Sequence, residues 1–163
     1  MDKKKAAKAI SLLVSILVFC LSLQDISDWS AVGIFTGCGL GCRLSYPFYH
    51  VGIVHALLNA WCLLSVVFIY DISMLRLCLA YIIAVFIPFI CLSDTPTVGL
   101  SGLVFALFGS ISFEVGRKVY YQLWMIAYLI IGFVFPNTNA WVHLYCYLAG
   151  CAVALLNKPV KVG

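Results

Sequence analysis

Apolar positions in this chain fall in long unbroken runs, not in the alternation with polar residues that half-buried soluble elements show. Six runs stand out, at 6–23, 48–70, 73–92, 99–113, 121–135 and 140–156. A helix crossing the hydrocarbon layer needs about 20 mostly apolar residues. The runs therefore predict six transmembrane helices, the fourth of them short. Polar breaks separate them: Ser93-Asp94-Thr95-Pro96-Thr97, then Glu114 with Arg117 and Lys118, then Pro136-Asn137-Thr138-Asn139, and finally Asn157-Lys158-Pro159. Pro88 falls near the end of the third run, where a membrane helix tolerates a kink. The stretch 24–47 mixes Gly33, Gly37, Gly39 and Gly41 with aromatic and apolar residues. It is too apolar for a solvated linker and is predicted to lie on the interface or dip into it. No internal repeat is evident, and the 163 residues read as one domain, 1–163.

Composition agrees with lipid as the solvent. Hydrophobic residues make up 64% of the chain and charged residues only 10%, too few charges for a water-facing surface. The first run follows Lys3, Lys4, Lys5 and Lys8, the shape of a signal peptide, but no small-x-small cleavage motif comes soon after Leu23. It is read as a span. With the N-terminus placed in the cytoplasm and the spans alternating, nine of the ten basic residues fall inside and only Arg43 falls outside. Both termini are thus expected in the cytoplasm. No basic patch interleaved with aromatics points to nucleic acid. Of the eight cysteines, six lie within apolar runs and are read as small hydrophobes. Cys38 and Cys42 share a loop, where a C-x3-C pair serves as a disulfide or half a metal site; no second pair lies near it. No metal and no cofactor is expected.

Polar groups at membrane depth are costly, so each is a functional candidate. His50, His55, Asn59, Ser101 and His143 stand out. The alternating topology brings His50, His55, Ser101 and His143 to the outer side, because spans two, four and six all begin there. Ser101 sits in Gly99-Leu100-Ser101-Gly102. A serine at a helix start caps helices. Free N–H groups at the same place also stabilise developing negative charge, and flanking glycines admit a substrate backbone. A nucleophilic serine needs a base. No lysine lies inside a span, and His143 is available. Gly102, Ala106 and Gly109 line one face of the fourth span; His143, Cys146 and Gly150 line one face of the sixth. Small residues let membrane helices approach closely, which would bring Ser101 and His143 within hydrogen-bond reach. All six carboxylates sit in loops or at span ends, so the expectation is a Ser–His dyad. His55 and Asn59, spaced i, i+4, share a face. They serve either as an interhelical polar contact or, with the Ser101 backbone N–H, as an oxyanion hole. His50 lies near the water boundary.

Taken together these residues resemble the rhomboid protease family over about Arg43 to Gly150. The resemblance rests on Tyr46-Pro47-Phe48-Tyr49-His50, on His55-Ala-Leu-Leu-Asn59, on Gly99-Leu-Ser101-Gly102-Leu-Val-Phe105-Ala106-Leu107-Phe-Gly109, and on His143 and Gly150. It implies an all-α membrane protein, a six-transmembrane-helix rhomboid-like bundle. It implies a serine endopeptidase that cleaves single-span membrane proteins near the outer face, with Ser101 as nucleophile and His143 as general base. His55 and Asn59 would hold the oxyanion, Phe105 would pack beside the His143 ring, and 24–47 would be a partly embedded loop. Two positions depart from the family pattern: Cys146 stands where Gly is usual, and Cys42-Arg43 stands where Trp-Arg is usual. The small, unadorned form fits a bacterial cytoplasmic membrane, with the lipid bilayer and membrane-protein substrates as partners and no particular oligomeric state implied. Other classes fit less well. An intramembrane metalloprotease needs H-E-x-x-H, and no Glu follows any His. An aspartyl protease needs paired membrane aspartates. A rhomboid-like pseudoprotease lacks the catalytic pair. A transporter favours broken helices in repeats.

Overall fold

In a computed structural model describing residues 2–135 and 138–156, the chain folds into seven α-helices, with no strand among the described residues. They are α1 (Lys3–Leu21), α2 (Leu40–Ser45), α3 (Ile53–Ile69), α4 (Met74–Val85), α5 (Ser101–Ser110), α6 (Lys118–Val134) and α7 (Ala140–Leu156). Pro136, Asn137, Lys158 and Lys161 lie outside the described residues.

Helix α5 is the centre of the bundle. Gly102 through Leu107 are all buried, as are Gly109 and Ser110. A helix apolar on every side is stable only when neighbours cover every side, and here α7, α4 and α3 pack around it. Helix α1 contributes a narrow stripe, Ala7, Ser11, Ser15 and Val18, to its contact with α3 and α4. The Ser15 hydroxyl is satisfied within the helix by the Ser11 carbonyl at 2.8 Å. Helix α6 packs mainly on α7 and turns Leu123, Trp124, Tyr128 and Ile131 outward. So large an exposed apolar surface suits lipid contact.

Several helices are shorter than their apolar runs. The run 73–92 is helical over Met74–Val85, because Pro88 lacks an N–H and disfavours helical backbone just before it. The chain then continues through an extended Pro88 into a single 3-10 turn at Phe89–Cys91. The run 48–70 yields a helix only from Ile53, after Gly52 at φ +95° has turned the chain. Among the described residues no single helix is long and apolar enough by itself to cross a membrane. The segments Leu40–Phe48 and Ile53–Ile69 reach the needed length only as a pair, bent by 87°.

That bend follows directly on the stretch 24–47. The stretch contains α2, which lies nearly at right angles to α3 with Leu40 and Leu44 exposed. Arg43 fixes it to the bundle. Its guanidinium donates to the carbonyl of Ile87 at 2.7 Å and of Val85 at 3.3 Å, and it lies 5.0 Å from the centre of the Phe89 ring. The Val85 carbonyl is one of those left free where α4 stops, and Ile87 follows just beyond it. Cys38 and Cys42 carry free thiols; the Cys42 thiol donates to the Ser30 and Ala31 carbonyls at 3.6 Å.

Charged pairs gather at one end of the bundle. Lys8 of α1 donates to Asp71 after α3, and that bond is the main reason the Asp71 carboxyl sits below the usual carboxylate range. Arg76 at the start of α4 donates to Glu114 beyond α5 at 2.6 Å. Asp71 has φ +48°, a left-handed backbone that aspartate tolerates better than most residues. The polar residues Ser101, His143 and His55 lie at the opposite ends of their helices.

Candidate active site

Ser101 opens α5, and the reason is the backbone just before it. Gly99 has φ +132°, a conformation that L side chains rarely adopt. A Cβ there would also lie 3.0 Å from Cε1 of His55. The turn thus needs glycine for both its dihedral and its space. Four hydrogen bonds brace it from the segment that runs from Ile34 to His50. The Gly99 N–H donates to the Tyr46 carbonyl at 3.0 Å, the Leu100 N–H donates to Nε2 of His50 at 3.1 Å, and Thr97 exchanges both backbone bonds with Ile34 at 2.9 and 2.8 Å. The first N–H groups of a helix have no acceptor within it, so the Ser101 N–H is left available.

His143 lies in the first turn of α7. Its Nε2 is 2.8 Å from Oγ of Ser101. Its ring stacks on Phe105 of α5, with centroids 4.4 Å apart and planes inclined by 14°. The approach of α5 and α7 is set by glycine. A Cβ on Gly150 would fall 2.1 Å from the Ala106 carbonyl oxygen, and one on Gly109 would fall 2.1 Å from that of Tyr147. The helices touch backbone to backbone. Cys146 is fully buried in this seam, and its Sγ is 3.5 Å from where a Gly102 Cβ would stand. A thiol at the family's usual glycine position therefore still permits close contact.

His55 and Asn59 face the same turn from α3. The ideal Cβ position of Gly99 is 3.3 Å from Nε2 of His55 and 3.8 Å from Nδ2 of Asn59. Asn59 is buried, His55 partly so. Neither side chain hydrogen-bonds to another described residue, which leaves their N–H groups free to donate to a group arriving beside Ser101.

The remaining sequence candidates sit around this core in different places. His50 is buried behind the turn, edge-on to His55 with ring centroids 4.9 Å apart. It holds the Leu100 backbone and does not reach the Ser101 hydroxyl. Gly102 packs against Tyr46, whose Oη would be 2.8 Å from a Cβ at that position. Gly150 is two turns from His143 and acts on helix spacing. Three residues have no role read from the sequence: Tyr46 stands only within the motif of the resemblance, and Thr97 and Asn139 only as parts of polar breaks. Tyr46, 1% exposed, donates its hydroxyl to the Ala84 carbonyl at 2.9 Å and so ties the α2 segment to α4 under the site. Thr97 and Asn139 join the two loops that lead to Ser101 and His143, with Nδ2 of Asn139 donating to Oγ1 of Thr97 at 3.4 Å. For Asn139 a signal existed, since Asn directly before an apolar run is a helix start signal. For Tyr46 and Thr97 there was none.

A family model for the Rhomboid domain matches residues 40–159, close to three quarters of the chain. No curated protein and no solved structure matches it.

Proposed function

The chain belongs to the rhomboid family, whose members are integral membrane proteins and in general serine hydrolases, and we propose that it is an active intramembrane serine endopeptidase working through a Ser101–His143 dyad. The observation that carries this reading is the 2.8 Å contact between Oγ of Ser101 and Nε2 of His143. In that contact the neutral imidazole accepts from the hydroxyl when its own proton is on Nδ1. Oγ attacks the scissile carbonyl while Nε2 takes the hydroxyl proton. The tetrahedral oxyanion forms beside Gly99, where the Ser101 N–H, His55 and Asn59 donate to it. The imidazolium then protonates the leaving amine, and water, activated by the same nitrogen, releases the acyl group from Ser101. Phe105 holds the imidazole plane by stacking, and no carboxylate takes part.

The proposed setting is a six-span bundle with both termini cytoplasmic, in a bacterial cytoplasmic membrane. Its support is the separation of charge from chemistry: Lys8, Asp71, Arg76 and Glu114 pair at one end, and Ser101 and His143 meet at the other. Substrates are single-span membrane proteins whose helix unwinds near the outer face, because an extended peptide is required to present a carbonyl to Oγ.

The test is labelling with a serine-directed fluorophosphonate in reconstituted lipid, with cleavage of a helix-destabilised membrane substrate followed in parallel. Wild type should label and cleave; Ser101→Ala and His143→Ala should do neither. Full residual cleavage in Ser101→Ala would remove the proposal.

A further inference from the structure

Two loops lead into the helix starts that carry the reacting groups, and they approach one another from different sides. The loop before α5 is braced toward α2 and α3 by Tyr46, His50 and Ile34. Toward α7 it has far less. Among the described residues, the polar ties between residues 93–101 and the start of α7 are the Ser101–His143 bond and one other, from Asn139 to Thr97. These two residues occupy matching positions. Thr97 is four residues before Ser101, and Asn139 is four residues before His143.

Asn139 is placed to do two things at once. Its Oδ1 accepts the Val142 N–H at 3.3 Å, and its carbonyl accepts the His143 N–H at 3.4 Å, so it caps the turn that carries the base. Because Oδ1 faces the helix, Nδ2 must face away from it, and there it meets Oγ1 of Thr97 at 3.4 Å. The cap fixes the direction of the amide, so the donor toward Thr97 is determined by the fold. On the other side, the Thr97 backbone is pinned in its bridge to Ile34, which leaves the hydroxyl pointing from a fixed support.

We propose that Asn139 and Thr97 form a clasp that sets the distance between nucleophile and base, which makes both of them positioning residues. The inference rests on the dyad reading above. Without the clasp, the closest backbone contact between α7 and α5 is the glycine seam around Gly109 and Gly150, about two turns from the chemistry, and nearer the site the His143 ring rests on Phe105 by side-chain stacking. A pivot there moves His143 more than it moves the seam. The clasp closes that degree of freedom at the mouth of the site, without touching the substrate carbonyl.

The experiment separates the clasp from the cap. Asn139→Ser keeps an oxygen that caps α7 but is too short to reach Thr97. Thr97→Val keeps shape and backbone and removes the hydroxyl. Each is expected to lower kcat about two- to tenfold, the effect of one lost hydrogen bond, with KM and Tm close to wild type. The double variant should be no slower than either single one, since both remove the same contact. Thr97→Ser, which keeps the hydroxyl, should restore kcat. Wild-type kcat in both single variants, an additive double variant, or a fall in Tm without a fall in kcat would each overturn the clasp. Fluorophosphonate labelling of wild type keeps the two readings distinct: loss of Ser101-dependent labelling there defeats the dyad itself, whereas normal labelling with unaffected variants defeats only the clasp.

Discussion

Gly150→Ala tests the geometry most sharply, because the substitution adds one methyl group far from the chemistry. The added Cβ would stand 2.1 Å from the carbonyl oxygen of Ala106, 2.9 Å from its carbon and 3.1 Å from its Cα. All three are backbone atoms of a central helix, so no side chain can swing aside. Reaching the 3.4 Å at which ordinary contact begins requires α5 and α7 to part by about 1.3 Å. If α7 shifts as a rigid rod, the 2.8 Å contact between Ser101 and His143 opens to about 4 Å, beyond hydrogen-bond range. A misplacement of about 1 Å in a catalytic group costs on the order of 100-fold in rate. Overpacking of this kind costs about 1–3 kcal/mol in stability as well. The assay is kcat on a reconstituted membrane substrate, with the rate of Ser101 labelling and Tm measured on the same samples. Gly116→Ala is the control, since nothing lies within 4 Å of that position. An unchanged labelling rate in Gly150→Ala, whatever happens to Tm, would refute the claim that the dyad needs the close backbone approach of α5 and α7 that the glycine seam allows.

Two further substitutions probe the turn and the loop. Asn59→Ala should lower kcat about 10–1000-fold, the range for an oxyanion donor, and slow fluorophosphonate labelling with it; an unchanged rate would return Asn59 to a purely structural contact. Arg43→Ala removes two charge-assisted bonds to the end of α4 and the contact over Phe89, and should destabilise the fold by about 2–3 kcal/mol in a thermal or denaturant titration. Arg43→Lys should recover only part of this, because a single ammonium does not match the planar fork. A wild-type midpoint in Arg43→Ala would mean that α2 is held by other contacts.

Chain order and hydropathy carried much of the helical layout, yet they blurred the ends of the helices. Apolar residues continue past Val85 as far as Leu92, so the third run gives no sign in hydropathy of where its helix stops; Pro88 does, through sterics. The same blur hid α2, whose six residues are too few for a periodic signal. The faces of α5 and α7 were legible because small residues recur at helical spacing, and Gly109 and Gly150 do lie where the two backbones touch. Tyr46 and Thr97 were not legible. Each matters through a partner 38 or 42 residues away, and nothing in its own neighbourhood names that partner.

By itself, then, the order of residues determined which segments are apolar enough to pack in lipid, where charge is excluded, and which helix faces are small. These follow from side-chain solvation and volume, which are local properties. Only the tertiary structure decided the right-angle seat of α2, the braces on the Gly99 turn, and the meeting of Asn139 with Thr97. Those depend on distances between segments far apart in the chain, and side-chain chemistry fixes such distances only after the helices have chosen how to pack.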